Sequence, residues 1–136
     1  MQIIISKVMI KTHGLTHIAL KVKDVKRSSG FYQKVFGAME MYNYEGFIQV
    51  QTPGSHDIIV FEQSETESFG SGGIIHFGFR LTNIDDIMMV AKEVEDAGGT
   101  IKEQGEFCPG EPYVLFYDPD GYEIEVWYEL PLAPFN

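Results

Sequence analysis

HIALKVKD at residues 17–24 and HFGFRLTN at residues 76–83 decide how this chain is read. Each stretch opens on a histidine, alternates small and large apolar residues, and carries a basic residue four places on, Lys21 or Arg80. Alternation of period two is the signature of a strand. It puts His17, Ala19 and Lys21 on one face of the first stretch, and His76, Gly78 and Arg80 on one face of the second. A helical pattern follows each strand and ends in glycine, at Gly37 and at Gly98. Each unit then closes on a β-rich run, DIIVFEQ at 57–63 and EIEVWYE at 123–129, with Phe61 aligned on Trp127. Landmarks recurring in the same order, about 60 residues apart, mark an internal duplication. The units span residues 13–64 and 74–129, and together they make one domain over 1–136.

The rest of the secondary structure follows from local signals. Asp24 stands where an N-cap belongs, and Val25, Ser28 or Ser29, Tyr32, Val35 and Phe36 recur at helical spacing before Gly37. Residues 39–44, 47–52 and 57–63 form a three-strand meander, and the glycine-containing stretch 65–73 is the linker. Asp85 or Asn83 caps the second helix, with Ile87, Met88, Ala91 and Val94 on its buried side and Gly98–Gly99 at its end. Strands follow at about 100–104, 113–117 and 122–128. Asp118-Pro119-Asp120-Gly121 is a tight turn between the last two.

Composition excludes several classes. Net charge is −10 and the pI is near 4.7, which disfavours nucleic acid and anionic membrane as partners. The single cysteine, Cys108, cannot make an internal disulfide. No stretch has the roughly 20 apolar residues of a membrane helix. The opening MQIIISKVMIK has no signal-peptide core, so the expected location is cytoplasmic.

The motifs carry a family resemblance. His17-x-x-Leu20-x-Val22-x-Asp24, then Ser28/Ser29-x-Phe31/Tyr32 and Phe36-Gly37, resembles the opening module of the glyoxalase, bleomycin-resistance and extradiol-dioxygenase proteins (the vicinal oxygen chelate superfamily). His76-x-Gly78-Phe79, with Phe116-Tyr117-Asp118-Pro119-Asp120-Gly121-Tyr122-x-Ile124-Glu125, resembles its second module. The resemblance implies an α+β fold of two β-α-β-β-β modules whose mixed sheets form one U-shaped cavity. It also implies a divalent metal (Fe, Mn, Ni, Co or Zn) held by His17, His76 and Glu125, donors that suit those ions. Glu123 shares a face with Glu125, but counting from the Asp-Pro-Asp-Gly turn favours Glu125. The fourth ligand found in family isomerases falls here within Ile58-Ile59-Val60, none of which binds metal. Glu62 and His56 are near but of undetermined facing.

Other positions follow from the resemblance. Lys21 and Arg80 would enter the cavity with the histidines and suit an anionic substrate. Tyr113 lies in the region where extradiol dioxygenases place an acid–base tyrosine, and Phe107 and Trp127 join it as cavity wall. Gly105 and Leu115 stand where fosfomycin-modifying relatives carry basic and aromatic residues. Cys108 has no base near it in sequence and is an incidental thiol. Two functions remain. One is a metalloenzyme, a lyase, isomerase or dioxygenase, acting on a small oxygen-chelating substrate, with Glu125 and Tyr113 as catalytic groups. The other is a metal-free protein that sequesters a drug, which the acidic charge and the ten Phe, seven Tyr and one Trp would suit. Either would be a homodimer, because U-shaped sheets leave free edges.

Overall fold

The computed structural model describes residues 10, 11, 13, 15–65, 69 and 72–131. The opening segment 1–9 and much of the expected linker lie outside them. The first unit runs β1 (His17–Val22), α1 (Val25–Phe36), β2 (Met39–Tyr44), β3 (Phe47–Gln51) and β4 (Ile58–Gln63). The second runs β5 (Phe77–Arg80), a 3-10 turn at Ile84–Asp86, α2 (Ile87–Asp96), β6 (Thr100–Glu106), β7 (Pro112–Tyr117) and β8 (Glu123–Trp127). Each unit forms its own four-stranded mixed sheet, ordered β1-β4-β3-β2 and β5-β8-β7-β6. Pairing is parallel between first and last strands and antiparallel elsewhere. This is the α+β pattern of two β-α-β-β-β modules expected above. The duplication extends to an irregularity: the register shifts between Glu40 and Tyr42 in one unit and between Ile101 and Glu103 in the other. No helix among the described residues is long and apolar enough to cross a membrane.

Local chemistry explains the helix ends. Asp24 accepts hydrogen bonds from the backbone N–H of Lys26 and Arg27, which have no partner inside α1. Gly37 ends α1 in the left-handed region at φ 65°. Asn83 caps the 3-10 turn by accepting from Asp85 N–H, and no side chain caps α2 itself. Val90 and Val94 are buried, whereas Met88, expected on the inner side, is 84% exposed. Ile87, Val90, Ala91 and Val94 make the i, i+3, i+4, i+7 stripe, and Met88 sits one residue off it.

One core serves both units. Phe31, Tyr32, Ile48 and Phe61 from the first join Val94, Val114, Phe116 and Ile124 from the second. Phe36 stacks on Phe79 across the seam, with centroids 3.9 Å apart. Close packing makes Gly99 more than a helix stop. A Cβ there would lie 2.6 Å from Val94 Cγ1, 2.8 Å from the Tyr117 carbonyl oxygen and 3.0 Å from Phe31 Cε1. Gly99→Ala is expected to destabilise the fold by about 1–3 kcal/mol, because backbone and ring cannot both retreat. An unshifted urea midpoint would contradict this.

The turn between β7 and β8 ties the units together. Asp118 accepts from Asp120 N–H, Tyr122 N–H and the buried Tyr32 hydroxyl at 2.8–3.0 Å. Asp120, its side chain 1% exposed, takes Arg27 at 2.8 Å, Lys23 N–H at 3.1 Å and the Ser28 hydroxyl at 3.1 Å. The tight turn of the sequence reading is therefore also a clamp on the start of α1.

Candidate functional site

The helix-covered faces of the two sheets are buried in the core, and the opposite faces are open. On the face of the first sheet away from its helix stand His17, Ala19 and Lys21 from β1, with the buried Val60 and the exposed Glu62 from β4. Register decides the facing of β4. Ile59 and Phe61 enter the core, so Ile58, Val60 and Glu62 point the other way. The same register corrects the alignment of the repeats. Lys21 pairs with Glu62, and Arg80 pairs with Trp127. Glu62, not Phe61, is thus the counterpart of Trp127, and Val60 is the counterpart of Glu125. The first unit has an aliphatic side chain where the second has a carboxylate, so no fourth ligand stands on β4 there.

The second open face holds the denser chemistry. His76, immediately before β5, lies between two carboxylates. Its Nδ1 is 3.5 Å from Glu123 Oε2, and its Nε2 is 3.9 Å from Glu125 Oε2. The two carboxylates differ in their other neighbours. Glu123, 8% exposed, is held by Lys102 Nζ at 2.7 Å. Glu125 has His76 as its basic neighbour among the described residues, with Nε2 at 3.9 Å. Burial pushes its carboxyl up, His76 offsets part of that, and the Glu123 charge adds to it. Gly78, paired with Glu125, makes room: a Cβ there would come within 3.1 Å of the Glu125 carbonyl oxygen and 3.4 Å of its Cβ.

Around this pair the aromatic residues gather. Tyr113 pairs with Trp127, one step along the open face from Leu115 and Glu125. Phe107 stacks on Tyr113, centroids 4.5 Å apart, and meets Trp127 edge-on at 5.7 Å. The Tyr113 hydroxyl donates to Glu103, which with burial raises its pKa, so the phenol keeps its proton at neutral pH. Arg80 is paired with Glu129 at 3.2 Å. Cys108 is exposed, and its thiol is pushed up by partial desolvation and by its hydrogen bond with Glu111.

His17 is not brought to this group within one chain. The Thr16 hydroxyl lies 2.8 Å from its Nδ1. It shares a recess of about 250 Å³ with Asp57, Gly78 and Phe79. His76 instead borders a cavity of about 240 Å³ with Ala19, Lys21 and Glu123. β1 and β5 therefore pass each other in opposite directions, which leaves the two histidines toward opposite ends of their seam. Among the described residues, no three His, Cys, Asp or Glu side chains converge to hold a metal ion. The expected set of His17, His76 and Glu125 is thus present as two separate parts. Sequence reasoning missed the supporting role of Glu123 and Lys102. Its one visible trace was the pair of acidic residues, Glu123 and Glu125, in an otherwise apolar strand.

Comparison with known proteins agrees with this architecture. The family model described as the Glyoxalase/Bleomycin resistance protein/Dioxygenase superfamily matches residues 14–126. A lactoylglutathione lyase of Neisseria meningitidis is 30% identical over 122 residues, covering 82% of this chain and 87% of that protein. A probable trivalent organoarsenical cleaving enzyme of Bacillus subtilis is 27% identical over 118 residues, covering 82% and 77%. Among solved structures, the fosfomycin resistance protein FosX of Listeria monocytogenes, complexed with Mn(II) and sulfate, superposes with a TM-score of 0.73. It is 21% identical, with 88% of this chain and 93% of that one covered.

Proposed function

The chain belongs to the glyoxalase/bleomycin resistance protein/dioxygenase superfamily, and from that premise we propose that it is one subunit of a metal-dependent enzyme. In this reading one divalent ion is held by His76 and Glu125 of one copy and by His17 of a second, and the substrate is small and offers adjacent oxygens. The observation that carries the reading is the division of the donors. Two half-sets lie on two open sheet faces, and neither is sufficient alone.

The residues fit such an ion. Glu125 is a partly buried carboxylate whose carboxyl is pushed up by burial, and His76 directs Nε2 toward it. When bound, the metal would act as a Lewis acid that orients and polarises substrate oxygens. The chain's own residues do the rest. Glu123 faces Nδ1 of His76 and Lys102 anchors Glu123, so the ring's orientation is set by its neighbours. Thr16 engages Nδ1 of His17, leaving Nε2 as the outward donor. Glu125 is the carboxylate able to take a substrate proton, and the Tyr113 ring lies one step along the face from it with its hydroxyl held by Glu103. Mn(II) in the FosX complex and the lyase activity in the Neisseria protein's name support a metal-dependent lyase or isomerase. A metal-free sequestering protein is the competing reading, and the exposed rings beside Glu125 are what favour it.

Elemental analysis separates the two. One ion per chain is expected after reconstitution and desalting. Single variants His17→Ala, His76→Ala and Glu125→Ala are expected to lose most of it. Glu123→Gln should bind about 10–100-fold more weakly, as for other residues that orient a ligand. Full metal content in a His17→Ala/His76→Ala double variant would overturn the proposal.

A further inference from the structure

We propose that Phe107, Tyr113 and Trp127 form a platform for a planar aromatic group of the ligand, neutral or cationic rather than anionic. This names the substrate class of the site above and in that respect rests on that reading, although the platform needs no metal.

Three observations converge. First, the rings are contiguous and ordered. Phe107 stacks on Tyr113 at an interplanar angle of 20° and meets Trp127 at 84°. Phe107 nonetheless remains 55% exposed at the β6–β7 hairpin, where its N–H closes onto the Glu111 carbonyl at 3.1 Å. Single exposed apolar side chains are ordinary on a protein surface, whereas a contiguous cluster beside polar groups marks a binding surface.

Second, the platform is built. Gly105 lies under Tyr113, and a Cβ there would stand 2.9 Å from the hydroxyl and 3.1 Å from the ring. Only a bare backbone lets the phenol lie flat over β6, and the bond to Glu103 holds it there. The hydroxyl is committed, so what the cluster offers a ligand is ring surface.

Third, the charge around the rings is negative. Glu103 bonds Tyr113, Glu106 accepts from Gly110 N–H, and Glu125 lies one step along the face. The cations of that face are engaged, Arg80 with Glu129 and Lys102 with Glu123. A carboxylate or phosphonate would meet like charge, while an aromatic face beside carboxylates attracts cations and aromatic edges. Arg80, expected to greet an anion, is thus diverted.

The chain has one tryptophan, Trp127, so its fluorescence reports on the platform. Chelator-washed protein is titrated with benzyltrimethylammonium, tetramethylammonium and benzoate. Saturable quenching by the first is expected, with the other two at least about 10-fold weaker. Phe107→Ala, at an exposed position and with its folding checked by circular dichroism, should weaken the aromatic cation about 10-fold. In metal-loaded protein, benzohydroxamate should bind about 10-fold tighter than acetohydroxamate, and that excess should vanish in Phe107→Ala. Equal binding of the two hydroxamates overturns the platform and leaves the metal site standing. Failure of both, with the aromatic cation still bound to metal-free protein, sinks the metal reading and supports the platform. Absence of saturable quenching overturns the platform, and so does an unchanged affinity in Phe107→Ala. A second copy covering the rings would give the former result.

Discussion

Mixing His17→Ala chains with Glu125→Ala chains is expected to restore metal binding that neither variant has alone. If each site takes His17 from one copy and His76 with Glu125 from another, a mixed dimer has one site lacking two donors and one with all three. Random pairing makes half the dimers mixed, so about one quarter of wild-type metal should return in a closed two-fold assembly. His76→Ala mixed with Glu125→Ala should restore none, because both lesions fall in the same half-site and every pairing leaves one. This control removes simple refolding as an explanation. His17 is exposed, and the other two lie on the open face, so the variants should fold. Subunits are exchanged by joint unfolding and refolding, and metal is measured after desalting. Equal failure of both mixtures would refute a site shared between chains. The exposed rings of Tyr42 and Tyr44 on the first sheet give such an assembly apolar surface to cover.

Asp118→Ala is expected to be the most damaging single substitution for stability. It leaves the Tyr32 hydroxyl and the backbone N–H groups of Asp120 and Tyr122 without their acceptor. Each buried orphan costs about 1–3 kcal/mol. A loss of about 3–5 kcal/mol follows, against the 5–15 kcal/mol typical of small domains. Asp118→Asn should cost less, since its carbonyl keeps both backbone donors and only the Tyr32 proton loses an acceptor. Adding Tyr32→Phe removes that proton and should recover part of the loss. The pH dependence has a definite sign. Burial raises the Asp118 carboxyl above its ordinary range, partly offset by Tyr32 and the backbone donors. Its protonated form is therefore favoured by folding, and this contribution fades as pH rises through the raised value. Asparagine lacks this contribution, so its deficit relative to the wild type should be larger near pH 4 than at pH 7. Urea titrations at both values check it. An alanine variant with the wild-type midpoint would refute the clamp.

The sequence alone determined whatever depends on neighbours in the chain. Period-two alternation set the faces of His17, Lys21, His76 and Arg80. Helical spacing with Asp24 and Gly37 bounded α1, and the recurrence of both patterns gave two β-α-β-β-β modules. What needed the tertiary structure depends on pairing across the fold. The facing of β4 turned on a one-residue register, because period two makes any slip exchange core and open faces; hence Phe61 is core and Glu62 is not. Met88 lies outside because it is one residue off the stripe of Ile87, Val90, Ala91 and Val94, whose phase the packing against the core fixes. Asp118 and Asp120 have their partners some 90 residues earlier in the chain, and polar contacts of that range leave no local periodicity. The same holds for the metal donors. Their residue types and strand faces are written locally, but whether His17 meets His76 in one chain follows from how two sheets pack. Here a shared core, sealed by Phe36 on Phe79, leaves their open faces as separate halves.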